Sequence, residues 1–156
     1  MSLGGGGGGD GQLQQLAEEI QALEEEKEAL EGEIEDLKTE QAEIDEAIEA
    51  IETLESGETV QVPLGGDAYV RAEVQDVDEI IVSLGGGYAA ERGQSAAIDT
   101  LENKQDTLDD RIEDVQEEIG EIQSESDELE EKAQQMQQQQ MQQQMAQMQQ
   151  QEGNDE

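Results

Sequence analysis

The chain has no cysteine, no histidine, no tryptophan and no phenylalanine, and only two tyrosines and one proline. Without cysteine there is no disulfide framework, no thiol nucleophile and no zinc-finger type of site. Without histidine the usual general base and the commonest metal ligand are missing. Aromatics, at 1% of residues, are too few for the core of an ordinary globule. Positive charge is scarce as well, with 7 Lys+Arg against 43 Asp+Glu and a net charge of −36. Such a surface repels phosphates, which excludes nucleic-acid binding. No apolar run approaches the length of a membrane span, so no membrane partner is expected. The N-terminus has neither a basic segment nor an apolar one of the secretory kind, so a cytoplasmic location is expected.

What is present is sorted by periodicity. From Leu13 the apolar residues step by three and four. The a series is Leu13, Ile20, Lys27, Ile34, Gln41, Ile48, Glu55, the d series is Leu16, Leu23, Leu30, Leu37, Ile44, Ile51, and 10 of these 13 positions are apolar. A second run has a at Ile98, Gln105, Ile112, Ile119, Ser126, Ala133 and d at Leu101, Leu108, Val115, Ile122, Leu129, Met136, with 10 of 12 apolar. Seams this regular predict a coiled coil, and two runs of similar length on one chain predict an antiparallel helical hairpin. Pairing Ile48 with Leu101, Ile34 with Val115 and Ile20 with Leu129 sets Gln41 against Leu108, Ile44 against Gln105 and Lys27 against Ile122. The first helix, at 1.5 Å per residue, would be about 65 Å long. Its narrow buried stripe is marginal alone and needs an anchoring body.

The middle supplies one. Ser56-Gly57 breaks the first helix, with Gly57 suited to the position after a helix end. Thr59–Leu64 and Tyr69–Val74 alternate around Gly65-Gly66-Asp67. Ile80–Leu84 and Tyr88–Glu91 flank Gly85-Gly86-Gly87. Both read as β-hairpins. Gly93 or Ser95 is suited to cap the second helix. The fold class is therefore mainly α with a small β part, a long antiparallel coiled coil with two central β-hairpins. Its segments are a flexible Gly-rich tail at 1–11, a first helix at 12–56, hairpins at 58–92, a second helix at 95–136 and a Gln/Met-rich tail at 137–156. That tail reads either as disordered or as a frayed helical extension.

Two hairpins leave sheet edges that one chain has nothing to cover, so the layout predicts oligomerisation. The residues expected to pack between subunits are Val60, Val62, Tyr69, Val70, Val74, Ile80, Val82, Leu84 and Tyr88. At the far end Leu13, Leu16, Ile20 and Met136 form the helix tips. Met141, Met145 and Met148 share one helical face by i, i+4, i+7 spacing, directed away from the Met136 seam. Methionine adapts to many partners, so these seven, the apolar tip residues included, are the candidate residues for partner contact. Gly32 and Gly120 fall on outer helix positions, where a flex point and a tolerated surface glycine are the two readings. The carboxylates crowd every exposed face with no nucleophile–base pair among them, so no enzyme, no cofactor and no metal site is expected. Asp76 and Asp78 lack the continuation of an EF-hand loop.

The order helix, two hairpins, helix resembles the prefoldin α subunit of archaea over about residues 13–136. The resemblance is most specific in Pro63-Leu64-Gly65-Gly66-Asp67-Ala68-Tyr69-Val70-Arg71-Ala72 and in Asp76–Tyr88 with its glycine turn. It implies a hexamer of two α and four β-type subunits, with hairpins joined in a platform and coiled coils projecting from it. It also implies ATP-independent capture of non-native client proteins at the coiled-coil tips and their transfer to a group II chaperonin. The acidic composition departs from the ordinary pattern and resembles a salt-adapted, haloarchaeal version. The alternative is a structural coiled-coil spacer or scaffold without client binding, a role that has no use for four interrupting strands.

Overall fold

A computed structural model describes residues 7–153. The elements run α1 (Gly7–Thr53), β1 (Thr59–Gly65), β2 (Ala68–Glu73), β3 (Ile80–Gly85), β4 (Tyr88–Arg92) and α2 (Gln94–Gly153). Two long helices thus enclose two separate two-stranded antiparallel sheets, β1–β2 and β3–β4. Against the expected spans, α1 starts five residues earlier and ends three residues sooner, and α2 runs on well past residue 136. Residues 7–11, read as tail, are helical, and so are residues 137–153. The remainder of both tails lies outside the described residues. Gln and Met are good helix formers, which is why a polar segment without heptads still extends α2.

Two compact units divide the chain, one joining α1 up to Ile34 with α2 from Asp114, the other spanning Glu35–Glu113. In the first, the a and d residues of both helices are buried or half-buried while their neighbours face solvent. Val115 is completely enclosed. The side chain of Gln140 lies against the bare Cα of Gly9, and Lys27 Nζ donates to Gln123 Oε1 at 2.8 Å, so the helices run antiparallel. Lys27, expected to meet Ile122, reaches past that layer to the next residue. Its ammonium also lies 3.8 Å from Glu31, one turn along α1.

The core of the second unit is Ile44, Val82, Ala97 and Leu101, with Ala47, Ile48, Ile51, Ile80 and Leu108 packed against it. Here β3 is laid directly on α1 and α2. The two polar a residues do more than face apolar partners. Gln41 Nε2 donates to the carbonyl of Gln105 at 3.5 Å and to Asp109 Oδ1 at 2.5 Å. Gln105 Nε2 reciprocates with the carbonyl of Gln41 at 3.4 Å and with Asp45. Two amides on adjacent layers thus lace the helices together, and among the described residues no buried polar side-chain atom is left without a partner.

The joint between helices and hairpins is also tied by side chains. Gln94 Nε2 donates to the carbonyls of Ile51 at 2.5 Å and Leu54 at 3.3 Å, satisfying acceptors that the end of α1 leaves open. Asp78, on the β2–β3 connection, accepts from the Gln94 backbone N–H at 3.4 Å, and its carboxylate sits over Gly93. Gly93 therefore precedes α2 as expected, but the capping oxygen comes from a residue distant in sequence. Ser56 Oγ accepts from Val77 N–H at 3.0 Å, holding that connection to the end of α1. Gly57, at φ +86°, does not adjoin the helix end. It lies in the tight turn that follows, closed by Glu58 N–H to the Glu55 carbonyl at 3.2 Å.

Candidate functional site

Both hairpins use one device. β1 pairs with β2 from Thr59↔Glu73 to Pro63↔Tyr69, then jumps to Gly65↔Ala68. β3 pairs with β4 from Ile80↔Arg92 to Ser83↔Ala89, then jumps to Gly85↔Tyr88. In each a leucine, Leu64 or Leu84, is the extra bulged residue ahead of a two-residue turn. The turn residues Gly66 (φ 59°) and Asp67 (φ 62°) both lie at positive φ, as a type I′ turn requires. Asp is one of the few side chains that tolerate this region. The bulge ends the alternation, so Leu64 does not continue the face of Val60 and Val62.

Across the first hairpin Val60 opposes Ala72 and Val62 opposes Val70, which gathers the valines on one side of that sheet. Val60 and Val74 are half-buried, while Val62, Leu64, Tyr69 and Val70 are exposed. The second hairpin divides differently from expectation. Val82 is 5% exposed and Ile80 packs beside it, both used up by this chain's own helices. Both were expected to pack between subunits, and within this chain they already pack against its own helices. The opposite face of β3 presents Ile81, 74% exposed, with Leu84 and Tyr88 open nearby. Ile81 was not singled out from the sequence. The run Ile80-Ile81-Val82 is apolar on both faces, so a period of two gives it no inward side. Leu64 had a signal, since Leu64-Gly65-Gly66 repeats as Leu84-Gly85-Gly86.

Each hairpin thus carries exposed apolar residues on strands with an unpaired edge: Val62, Leu64, Tyr69 and Val70 on the first, Ile81, Leu84 and Tyr88 on the second.

The helix tips divide too. Leu13 and Ile20 are half-buried, and Leu16 is 7% exposed. Leu16, expected as a tip contact, is covered within this chain, because α2 is long enough to reach the first turns of α1. Leu16, Leu129 and Met136 instead line an open hollow between the helices, rimmed by Gln12, Glu19 and Lys132. Met141, Met145 and Met148 are 67%, 68% and 71% exposed, in a stretch from Ala133 to Gln151 that carries no charged side chain. Among the described residues no group of three acids is placed to hold a metal ion, and no helix is long and apolar enough to cross a membrane.

Comparison with known proteins fits this architecture. The family model for the prefoldin subunit matches residues 23–139. The chain is 67% identical over 94 residues to prefoldin subunit alpha of Haloarcula marismortui, covering 60% of this chain and 61% of that protein. It is 71% identical over 99 residues to that of Halorubrum lacusprofundi, covering 64% and 65%. With the protein of the same name from Halobacterium salinarum it shares 67% identity over 105 residues, or 67% of each chain. These alignments therefore span about three-fifths to two-thirds of the relatives' length. Among solved structures, a cryo-EM structure of filamentous PFD from Methanocaldococcus jannaschii superposes with a TM-score of 0.65 at 26% identity, covering 74% of this chain and 98% of that one. The chain belongs to the prefoldin subunit family, and within it to the α subunits of halophilic archaea.

Proposed function

We propose that this chain works as the α subunit of a cytoplasmic hetero-oligomeric prefoldin, a chaperone and not an enzyme. Two such subunits join four of the β type through their hairpins. The complex captures non-native proteins at the helix tips without ATP and passes them to a group II chaperonin. The observation that carries the reading is the set of apolar residues left open on strands with unpaired edges: Val62, Leu64, Tyr69, Val70, Ile81, Leu84 and Tyr88. Val60 and Val74, half-buried at the base of the first hairpin, border the same interface.

Client contact on this reading falls to the hollow of Leu16, Leu129 and Met136, flanked by Leu13 and Ile20, and to the Met141, Met145 and Met148 face. Several weak sites acting together raise avidity without one tight pocket. The test is co-expression with a β-type subunit in molar KCl, followed by native mass measurement and a client-aggregation assay. A hexamer that suppresses aggregation without nucleotide is the expected result. A monodisperse α subunit that ignores its partner overturns the assembly. An assembled hexamer with no effect on aggregation overturns the capture.

A further inference from the structure

Lacking cysteine, histidine and tryptophan, the chain concentrates its readily oxidised atoms in methionine sulfur. Of five methionines, four lie between residues 136 and 148. The fifth, Met1, is outside the described residues. Three of the four share one exposed face of α2, each more than two-thirds exposed, while Met136 is half-buried beside Leu16 and Leu129. The surrounding side chains are glutamine and alanine, so no charge repels an oxidant and no apolar shell shields the sulfur.

We propose that Met141, Met145 and Met148 are an oxidation site, at which hydroperoxides convert this face of α2 from apolar to polar. In each event the thioether sulfur gives two electrons to the peroxide. The O–O bond breaks, one oxygen stays on sulfur as the sulfoxide, and the other leaves as water from hydrogen peroxide or as the alcohol from an organic hydroperoxide. The product is reversible by methionine sulfoxide reductases, so the change is a switch and not an injury. Three sulfoxides along i, i+4, i+7 place three strong dipoles on what had been a continuous soft apolar strip. Resting on the proposed client contact, the switch turns that contact off under oxidant.

The experiment exposes the assembled complex in molar salt to graded hydrogen peroxide and maps sulfoxides by peptide mass spectrometry. Met141, Met145 and Met148 are expected to oxidise ahead of Met136. Equal rates at all four, or no modification of the three, overturn the site. In parallel, aggregation suppression is measured for the wild type and for the triple variant M141L/M145L/M148L. Leucine keeps the face apolar and helical without oxidisable sulfur. The wild type is expected to lose suppression as the three sulfoxides form and to regain it with a reductase, while the variant, compared with its own untreated level, shows no further change with peroxide. Full oxidation with undiminished suppression, or equal loss in the variant, overturns the switch. An untreated complex that suppresses nothing is separate, and counts against the capture itself.

Discussion

Ile81 and Val82 are neighbours on one strand with opposite fates. Val82 fills the space between α1 and α2, and Ile81 faces outward. Val82→Ala removes two methyl groups from a packed site and is expected to cost about 2 kcal/mol of subunit stability, read by denaturant titration at fixed salt. Ile81→Ser should leave subunit stability within about 0.5 kcal/mol, because a side chain 74% exposed has little packing to lose in the subunit. Its effect should appear in assembly, as dissociation of the hetero-oligomer at a higher protein concentration. If both substitutions unfold the subunit equally, the outward face of β3 is not an interface. The sequence could not assign these fates, since three consecutive apolar residues carry no alternation. Their sides are decided by the small Ala97, fully buried on α2, against which Val82 settles.

Among the elements, the helices were the most legible. Their seams repeat without a slip, and the buried residues of both helices follow them, Ala97 excepted. The hairpin turns were legible for a different reason, because glycine at positive φ is nearly a positional requirement there. What could not be read were the ties between elements distant in sequence. Asp78 over Gly93 and the Gln94 amide on the carbonyls of α1 depend on how the chain returns to itself. Asp78→Ala is expected to destabilise the subunit by about 1 kcal/mol, measured by the shift of the thermal midpoint. The amides of Gln41 and Gln105 act as a pair, each on the other helix's backbone. A double-mutant cycle with leucine at both positions should show coupling of about 0.5–3 kcal/mol, whereas additive effects would mean two independent polar residues.

Gly32 and Gly120 complete this scale. Both are helical, and a methyl group added at either meets no atom within 4 Å. Gly32→Ala and Gly120→Ala should each stabilise by about 1 kcal/mol. If the glycines are flex points, the stabilised double variant loses client capture in the assembled complex. If they are tolerated surface positions, capture is unchanged.

For the whole molecule, 43 acidic residues opposed by seven basic ones define the conditions of folding. Most of the described acids lie on exposed helix faces, so their repulsion acts through solvent and is removed by screening. The Debye length falls from about 10 Å at 0.1 M salt to about 3 Å at 1 M. Helicity followed by circular dichroism should rise steeply with KCl, and a signal unchanged in dilute buffer would contradict this. The neutral stretch from Ala133 to Gln151 should add little to that dependence. A chain truncated after Ala133 is therefore expected to keep nearly the same salt midpoint.

The antiparallel pairing of α1 with α2 also imposes an order in time. Synthesis delivers α1 first, yet Ile44 finds Leu101, and Lys27 finds Gln123, only after both hairpins have emerged. At 5–20 residues per second the apolar stripe of α1 waits on the order of several seconds for its partner. Each newborn copy of this subunit therefore passes through an interval in which the stripe of α1 is uncovered and the chain itself needs shelter.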